Sequence, residues 1–258
     1  MTERRLAYSL DGPAEAPVLV LSGSLGSTQA MWEPQMPALT ARRRILRLDH
    51  PGHGASPVWE GPVTVADIAR AVLELLDGLG CQHFAFCGLS LGGAIGQWVA
   101  AHAPERVRHL ILCSTTSHFE AETYLQRAAL VRRDGLGQVA AAVMDRWFTP
   151  GFRAQEPATV AHYRAMVASI PPDGYAECCE AVARFDGRPD LSRISAPTLV
   201  LVGAEDPVVS PGQARALQDG ISRARLEIVE AASHLFNIER PEETSRAILR
   251  QLAEDEDD

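Results

Sequence analysis

Short, largely apolar runs recur along this chain, separated by longer stretches whose apolar residues follow a helical period. The runs lie at residues 17–23, 45–49, 83–87, 109–114, 197–203 and 225–229, most of them rich in Val, Leu and Ile. A strand buried on both faces needs such a run, because helices cover a central parallel sheet above and below. Residues 6–10 give a weaker, edge-like candidate. Residues 64–79 give the clearest helix: Val65, Ile68, Ala69, Val72, Leu75, Leu76 and Leu79 share one face. Thr64 and Asp67 have the spacing of a capping box, and Gly80 can end the helix. Pro241, suited to a first helical position, opens another helix that runs through Leu252. Strands alternating with helices predict an α/β fold around a mostly parallel, doubly wound sheet.

The alternation stops between residues 117 and 194. Gly135, Gly137, Pro150, Gly151, Pro157, Pro171, Pro172 and Gly174 punctuate that stretch into short helix-like pieces, with no convincing strand. A buried run resumes at Pro197, so the pattern predicts a helical cap inserted into one α/β core. The expected division is 1–116 for the first part of the core, 117–194 for the cap and 195–253 for the second part. Residues 254–258 are expected to form an acidic, disordered tail.

The candidate chemistry begins where the apolar run at 83–87 ends. There the chain reads Gly88-Leu89-Ser90-Leu91-Gly92, followed by a helix-like stretch at 94–103. G-x-S-x-G alone is common. Between a buried strand and a helix it has the context of a nucleophile elbow, which presents Ser90 at the apex of a strained turn. A serine hydroxyl is a weak nucleophile, and it needs a base that is itself oriented by an acid. With this elbow the chain order is Ser, then Asp or Glu, then His.

The run at 197–203 leads into Gly203-Ala204-Glu205-Asp206-Pro207, which delivers an acid after a late strand. Asp206 is preferred to Glu205 because the following proline fixes it. His234, in Ala231-Ala232-Ser233-His234-Leu235-Phe236, is the one histidine of eight in the required order and place. His50 and His53, in Asp49-His50-Pro51-Gly52-His53-Gly54, read as structural. An oxyanion hole needs two N–H groups. Leu91 should supply one. The other should come from Ser22-Gly23-Ser24-Leu25-Gly26-Ser27. Aligning Ser22-Gly23 with the usual His-Gly pair puts that donor at Ser24, with Leu25 as the alternative.

Composition narrows the classes. The 258 residues are 46% hydrophobic, enough for one large core. A formal net charge of −9 argues against a general nucleic-acid binder. No apolar run reaches membrane-spanning length, and no apolar segment follows Met1-Thr2-Glu3-Arg4-Arg5. No membrane association is therefore expected, and a cytoplasmic location is. The five cysteines fit no zinc spacing, so no metal is expected. The sequence contains no lysine, which excludes Schiff-base catalysis, a pyridoxal cofactor and a P-loop.

From about Leu6 to Leu252 the chain resembles the α/β-hydrolase superfamily, and within it the 3-oxoadipate enol-lactonases. The supporting segments are Leu21-Ser22-Gly23-Ser24-Leu25-Gly26-Ser27 with Met31-Trp32-Glu33-Pro34-Gln35, Arg146-Trp147-Phe148-Thr149-Pro150, and Gly174-Tyr175-Ala176-Glu177-Cys178-Cys179-Glu180-Ala181. The family often has Asn where this chain has Gly23, and Thr where it has Ser27. The resemblance implies a small anionic substrate, a five-membered enol-lactone with an acetate side chain, and no metal or organic cofactor. Arginine suits a carboxylate because its planar fork can bind both oxygens. Arg146 is the first choice for that role, with Arg127, Arg132 and Arg133 as alternatives and Trp147 as a pocket wall. The rival readings are a carboxylesterase, a carbon–carbon bond hydrolase, a perhydrolase, or a non-catalytic receptor on the same scaffold.

Overall fold

The computed structural model describes residues 4–253. The acidic tail expected at 254–258 lies outside them. Seven strands form one sheet: β1 (Tyr8–Asp11), β2 (Val18–Ser22), β3 (Arg44–Leu48), β4 (Phe84–Leu89), β5 (Val107–Cys113), β6 (Thr198–Gly203) and β7 (Ala224–Val229). Their order is β1-β3-β2-β4-β5-β6-β7. Among the described residues only the edge strand β1 runs antiparallel, against β3. The central strands β4 and β6 are buried along their whole length, which is why their sequences read as unbroken apolar runs.

Helices cover the sheet. In chain order they are α1 (Met36–Leu39), α2 (Val65–Gly78), α3 (Leu91–His102), α4 (Ala121–Asp134), α5 (Gly137–Trp147), α6 (Pro150–Gln155), α7 (Pro157–Ala168), α8 (Pro172–Ala183), α9 (Pro211–Gly220), α10 (Phe236–Glu239) and α11 (Pro241–Leu252). The capping box of α2 is formed in both directions: Asp67 N donates to Thr64 Oγ1 at 3.1 Å, and Thr64 N to Asp67 Oδ2 at 3.0 Å. None of the helices among the described residues is long and apolar enough to cross a membrane.

Element ends differ from the sequence pattern where backbone geometry overrides it. The apolar run at 83–87 continues as strand to Leu89, because Gly88 and Leu89 still pair with Leu112 and Cys113 of β5. That run ends directly at Ser90, and α3 starts at Leu91 rather than Ala94. Ser114 closes the run at 109–114, but its φ of 42° takes it out of β5, which ends at Cys113. Helices α4 to α8 lie between β5 and β6 in the chain and are called the cap below. The two ends of this segment are stitched together: His118 and Asp186 form an isolated β-bridge, and Gly187 N donates to Ser117 O at 2.7 Å.

Candidate active site

Ser90 occupies the turn between β4 and α3 with φ 58° and ψ −111°, a conformation L-residues rarely adopt. Two glycines make the turn possible. A Cβ on Gly88 would lie 2.1 Å from Gly92 O, and one on Gly92 would lie 2.2 Å from Ser22 O. The strained backbone is held by hydrogen bonds. Ser90 N donates to Cys113 O at 2.9 Å, and Thr115 Oγ1 donates to Ser90 O at 2.9 Å. Gly92 N donates to Gly23 O at 2.9 Å, which ties the elbow to the turn after β2.

The late-strand acid and the histidine meet. His234 Nδ1 lies 2.9 Å from Asp206 Oδ2, and both side chains are buried. The other oxygen, Oδ1, accepts from Val208 N at 2.8 Å and Val209 N at 3.1 Å. A carboxylate only accepts, so Nδ1 carries the hydrogen and Nε2 is left free to take a proton. Glu205 is exposed, and the imidazole is served by Asp206 instead. Ser90 and His234 line the same cavity, but among the described residues no hydrogen bond joins their side chains. Such contacts often tighten only when substrate binds.

The turn after β2 sorts its own N–H groups. Ser24 N points at Met31 Sδ, 3.3 Å away, and Gly26 N donates to His53 Nε2 at 3.2 Å. Leu25 N lies between these two committed donors and has no hydrogen-bond partner among the described residues. Leu25 N is thus a free donor of this turn, whereas Ser24 N is directed at Met31 Sδ. His53 Nδ1 lies 2.9 Å from Pro51 O and so carries the hydrogen, which leaves Nε2 as the acceptor for Gly26. Burial pulls His53 down to a pKa of about 4 and His50, with added repulsion from His53, to about 3. His50 Nε2 lies 2.9 Å from Ser22 Oγ. These two histidines support the loop rather than the chemistry.

The cavity beside Ser90 is small, about 20 Å³. Ser24, Leu25, Tyr124, Arg127, Arg146, Trp147, Tyr175 and His234 are among its walls. An outer recess of about 230 Å³ shares Tyr124, Arg127, Arg146 and Val208 with it. The two arginines therefore stand in the partition between recess and nucleophile. Neither forms an ion pair among the described residues. Arg127 lies 4.9 Å over the Tyr124 ring, and Asp145, next to Arg146, pairs with Arg153 instead. Burial and the neighbouring Arg127 both push the Arg146 guanidinium below its ordinary value. It stays charged at neutral pH. Arg132 is engaged by Glu177 and Glu180, and Arg133 by Asp134, so neither serves the cavity. A cavity of about 210 Å³ elsewhere, lined by Gln97, Trp98, Arg184 and Phe185, holds no nucleophile and base of this kind.

One buried group, Glu239, has no signature in the sequence. Its carboxylate accepts from Thr149 N and Thr149 Oγ1, each at 2.8 Å, and from Ser233 N at 2.5 Å. In the polar run Glu239-Arg240-Pro241-Glu242-Glu243 it looks like one more exposed acid at a helix start.

Residues 16–241 match the family described as alpha/beta hydrolase fold. The chain belongs to the alpha/beta-hydrolase family. It is an enzyme of the hydrolase class. This hydrolase is 40% identical over 244 residues to 3-oxoadipate enol-lactonase 2 of Acinetobacter baylyi, covering 94% of this chain and 91% of that one. Its structure is similar to the crystal structure of the enol-lactonase from Burkholderia xenovorans LB400, with a TM-score of 0.94, 38% identity and 96% of each chain covered. It also resembles a thermophilic esterase from Thermogutta terrifontis, with a TM-score of 0.89 and 30% identity over 96% of this chain and 92% of that one.

Proposed function

We propose that this hydrolase opens 3-oxoadipate enol-lactone to 3-oxoadipate through an acyl-serine intermediate, as a step in the breakdown of aromatic compounds. The observation that carries the reading is the arginine pair: Arg127 and Arg146, without carboxylate partners among the described residues, face the cavity of Ser90 and His234. Two half-buried cations in a net acidic protein favour an anionic ligand over a neutral one. The relatives named as enol-lactonases supply the substrate that fits this charge.

In this reading Ser90 Oγ attacks the lactone carbonyl while His234 Nε2 takes its proton. The carbonyl oxygen becomes an oxyanion held by the Leu91 and Leu25 N–H groups. Collapse breaks the ring C–O bond, and the departing enol oxygen takes the proton from His234. Water, deprotonated by the same histidine, then attacks the acyl-serine and releases the acid. The enol tautomerises to the ketone. Asp206 stabilises the imidazolium and fixes its tautomer throughout. Arg146 and Arg127 hold the acetate carboxylate. No step requires a metal or an organic cofactor.

The test is a substrate panel on purified protein, with the enol-lactone set against short neutral p-nitrophenyl esters. Higher kcat/KM on the lactone is expected. A clear preference for the neutral esters assigns the protein to the carboxylesterases and overturns the lactonase reading.

A further inference from the structure

Glu239 is buried, yet it belongs to no step of the chemistry. It sits at the end of α10, five residues after His234 in the chain. Its three hydrogen bonds come from two separate parts of the molecule. Ser233 N, which donates to Oε2, belongs to the residue just before the base. Thr149 N and Oγ1, which donate to Oε1, belong to the N-cap of α6, directly after the segment that carries Arg146 and Trp147. Two more bonds run parallel to this bridge: Ser233 Oγ to Arg146 O at 2.9 Å, and Leu235 N to Trp147 O at 3.0 Å. The loop is closed on its other side by Arg240, whose Nη2 donates to Ala231 O at 2.8 Å, at a residue with φ 50°. Every group that meets the carboxylate donates to it, so all three bonds are charge-assisted.

We propose that Glu239 is a positioning residue that couples the cation side of the site to its base. The inference rests on the reading above, in which Arg146 binds a substrate carboxylate. The backbone of residues 146–149 and the backbone of residues 233–235 are both fastened, through or beside one carboxylate. The separation between the backbone that carries Arg146 and the backbone that carries His234 is thereby set by main-chain contacts. An anchored substrate then meets the base at a fixed reach, as a near-attack geometry requires.

Glu239→Gln tests this with little change of shape. An amide has one oxygen and no charge, so it cannot accept on both sides, and the link between the Thr149 donors and Ser233 N is broken whichever way the amide turns. Two readouts are taken on the same variant. Hydrolysis of a neutral p-nitrophenyl ester reports the base, and competitive inhibition of that hydrolysis by adipate, a dicarboxylate, reports the cation side. A fall in ester kcat/KM of about 10–100-fold is expected, the scale of a small misplacement of catalytic groups. The adipate inhibition constant should rise several-fold at the same time. A partly unfolded preparation lowers the rate but leaves an inhibition constant where it was, so the second readout separates positioning from folding. An unmoved inhibition constant, whatever the rate, overturns the coupling. If Glu239→Gln does not fold, Thr149→Val removes the Oγ1 donor from the cap arm, along with the acceptor for Phe152 N at the start of α6. It should raise the inhibition constant while ester turnover stays near wild type, and an unchanged inhibition constant there also overturns the proposal. Wild-type protein that adipate does not inhibit refutes the anionic-substrate reading, and the coupling with it.

Discussion

Asp206 presents one oxygen to His234 Nδ1 at 2.9 Å and gives the other to the backbone of Val208 and Val209. The carboxylate cannot rotate without losing those two N–H bonds, so its face toward the imidazole is fixed. Asp206→Asn would keep its oxygen on the backbone donors and turn its NH2 toward Nδ1. The imidazole would then carry its hydrogen on Nε2, facing Ser90, and could no longer act as a base. A loss of about 10⁴ in kcat is expected from the wrong tautomer, with the fold intact. Steady-state kinetics with a circular-dichroism control checks it; near-wild-type turnover removes Asp206 from the mechanism.

Ser90→Ala should abolish turnover, and combining it with His234→Ala should add little. Members of a triad act as a unit, so the first deletion already costs on the order of 10⁴–10⁶. Losses that multiply in the double variant would mean that the two side chains work independently.

The arginine pair gives a charge-specific expectation. Arg146→Ala should cost about 2–5 kcal/mol in kcat/KM on an anionic lactone, the range for truncating one partner of a buried charged pair. Neutral esters should be spared. Arg127→Ala should show the same selectivity, since both guanidinium groups stand in the partition between recess and nucleophile. Equal losses on charged and neutral substrates would show that these side chains serve packing alone.

The buried histidines give a stability expectation with a definite sign. His50 and His53 have folded-state values lowered to about 3 and about 4. The unfolded chain therefore binds more protons once the pH falls below about 6.5, and stability is lost from there down toward the folded values. At pH 5 each histidine costs about 2 kcal/mol relative to neutral pH. Urea denaturation at pH 7 and pH 5 measures the difference, and His50→Gln should shrink it. A gap unchanged by that substitution would place the acid sensitivity elsewhere.

The elbow glycines set a steric limit. Gly92→Ala would put a methyl group 2.2 Å from Ser22 O, where the neighbour is backbone and cannot swing aside. Overpacking of this kind costs about 1–3 kcal/mol or more. A lowered Tm together with lost activity is expected; an unaffected Tm would mean that the elbow can open.

The central sheet was legible in the sequence because β4 and β6 are buried along their whole length and the other inner strands nearly so, which leaves few polar residues in their runs. Strand ends were less legible. Gly88 and Leu89 keep pairing with β5 although they look like turn residues, and Ser114 leaves its strand although it follows an apolar run. Asp206 and His234 could be named from chain order, because each sits just past a recognisable strand. The oxyanion turn was half legible: its position followed from β2, but the aim of its N–H groups depends on Met31 and His53, which are distant in sequence. Arg127 was one of four arginines with similar local sequence. What separates it from Arg132 is that the latter faces Glu177 and Glu180 of α8, a contact between helices that periodicity alone does not reveal. Glu239 left no signal, since its burial comes from residues about 90 positions away.

Strands β5 and β6 are sheet neighbours, with Leu110 opposite Thr198 and Cys113 opposite Leu201, although all the helices α4 to α8 intervene between them in the chain. The sheet closes over that detour as if it were a short loop, with its two ends joined by the His118–Asp186 bridge. Ser90, Asp206 and His234 all belong to the part that needs nothing from the detour to pair its strands. Arg127, Arg146 and Trp147 all belong to the detour. Under the proposed reading, mutation in the detour can change what the enzyme accepts while Ser90, Asp206 and His234 keep the sheet that carries them, so that a lineage can change its diet without having to reinvent its chemistry.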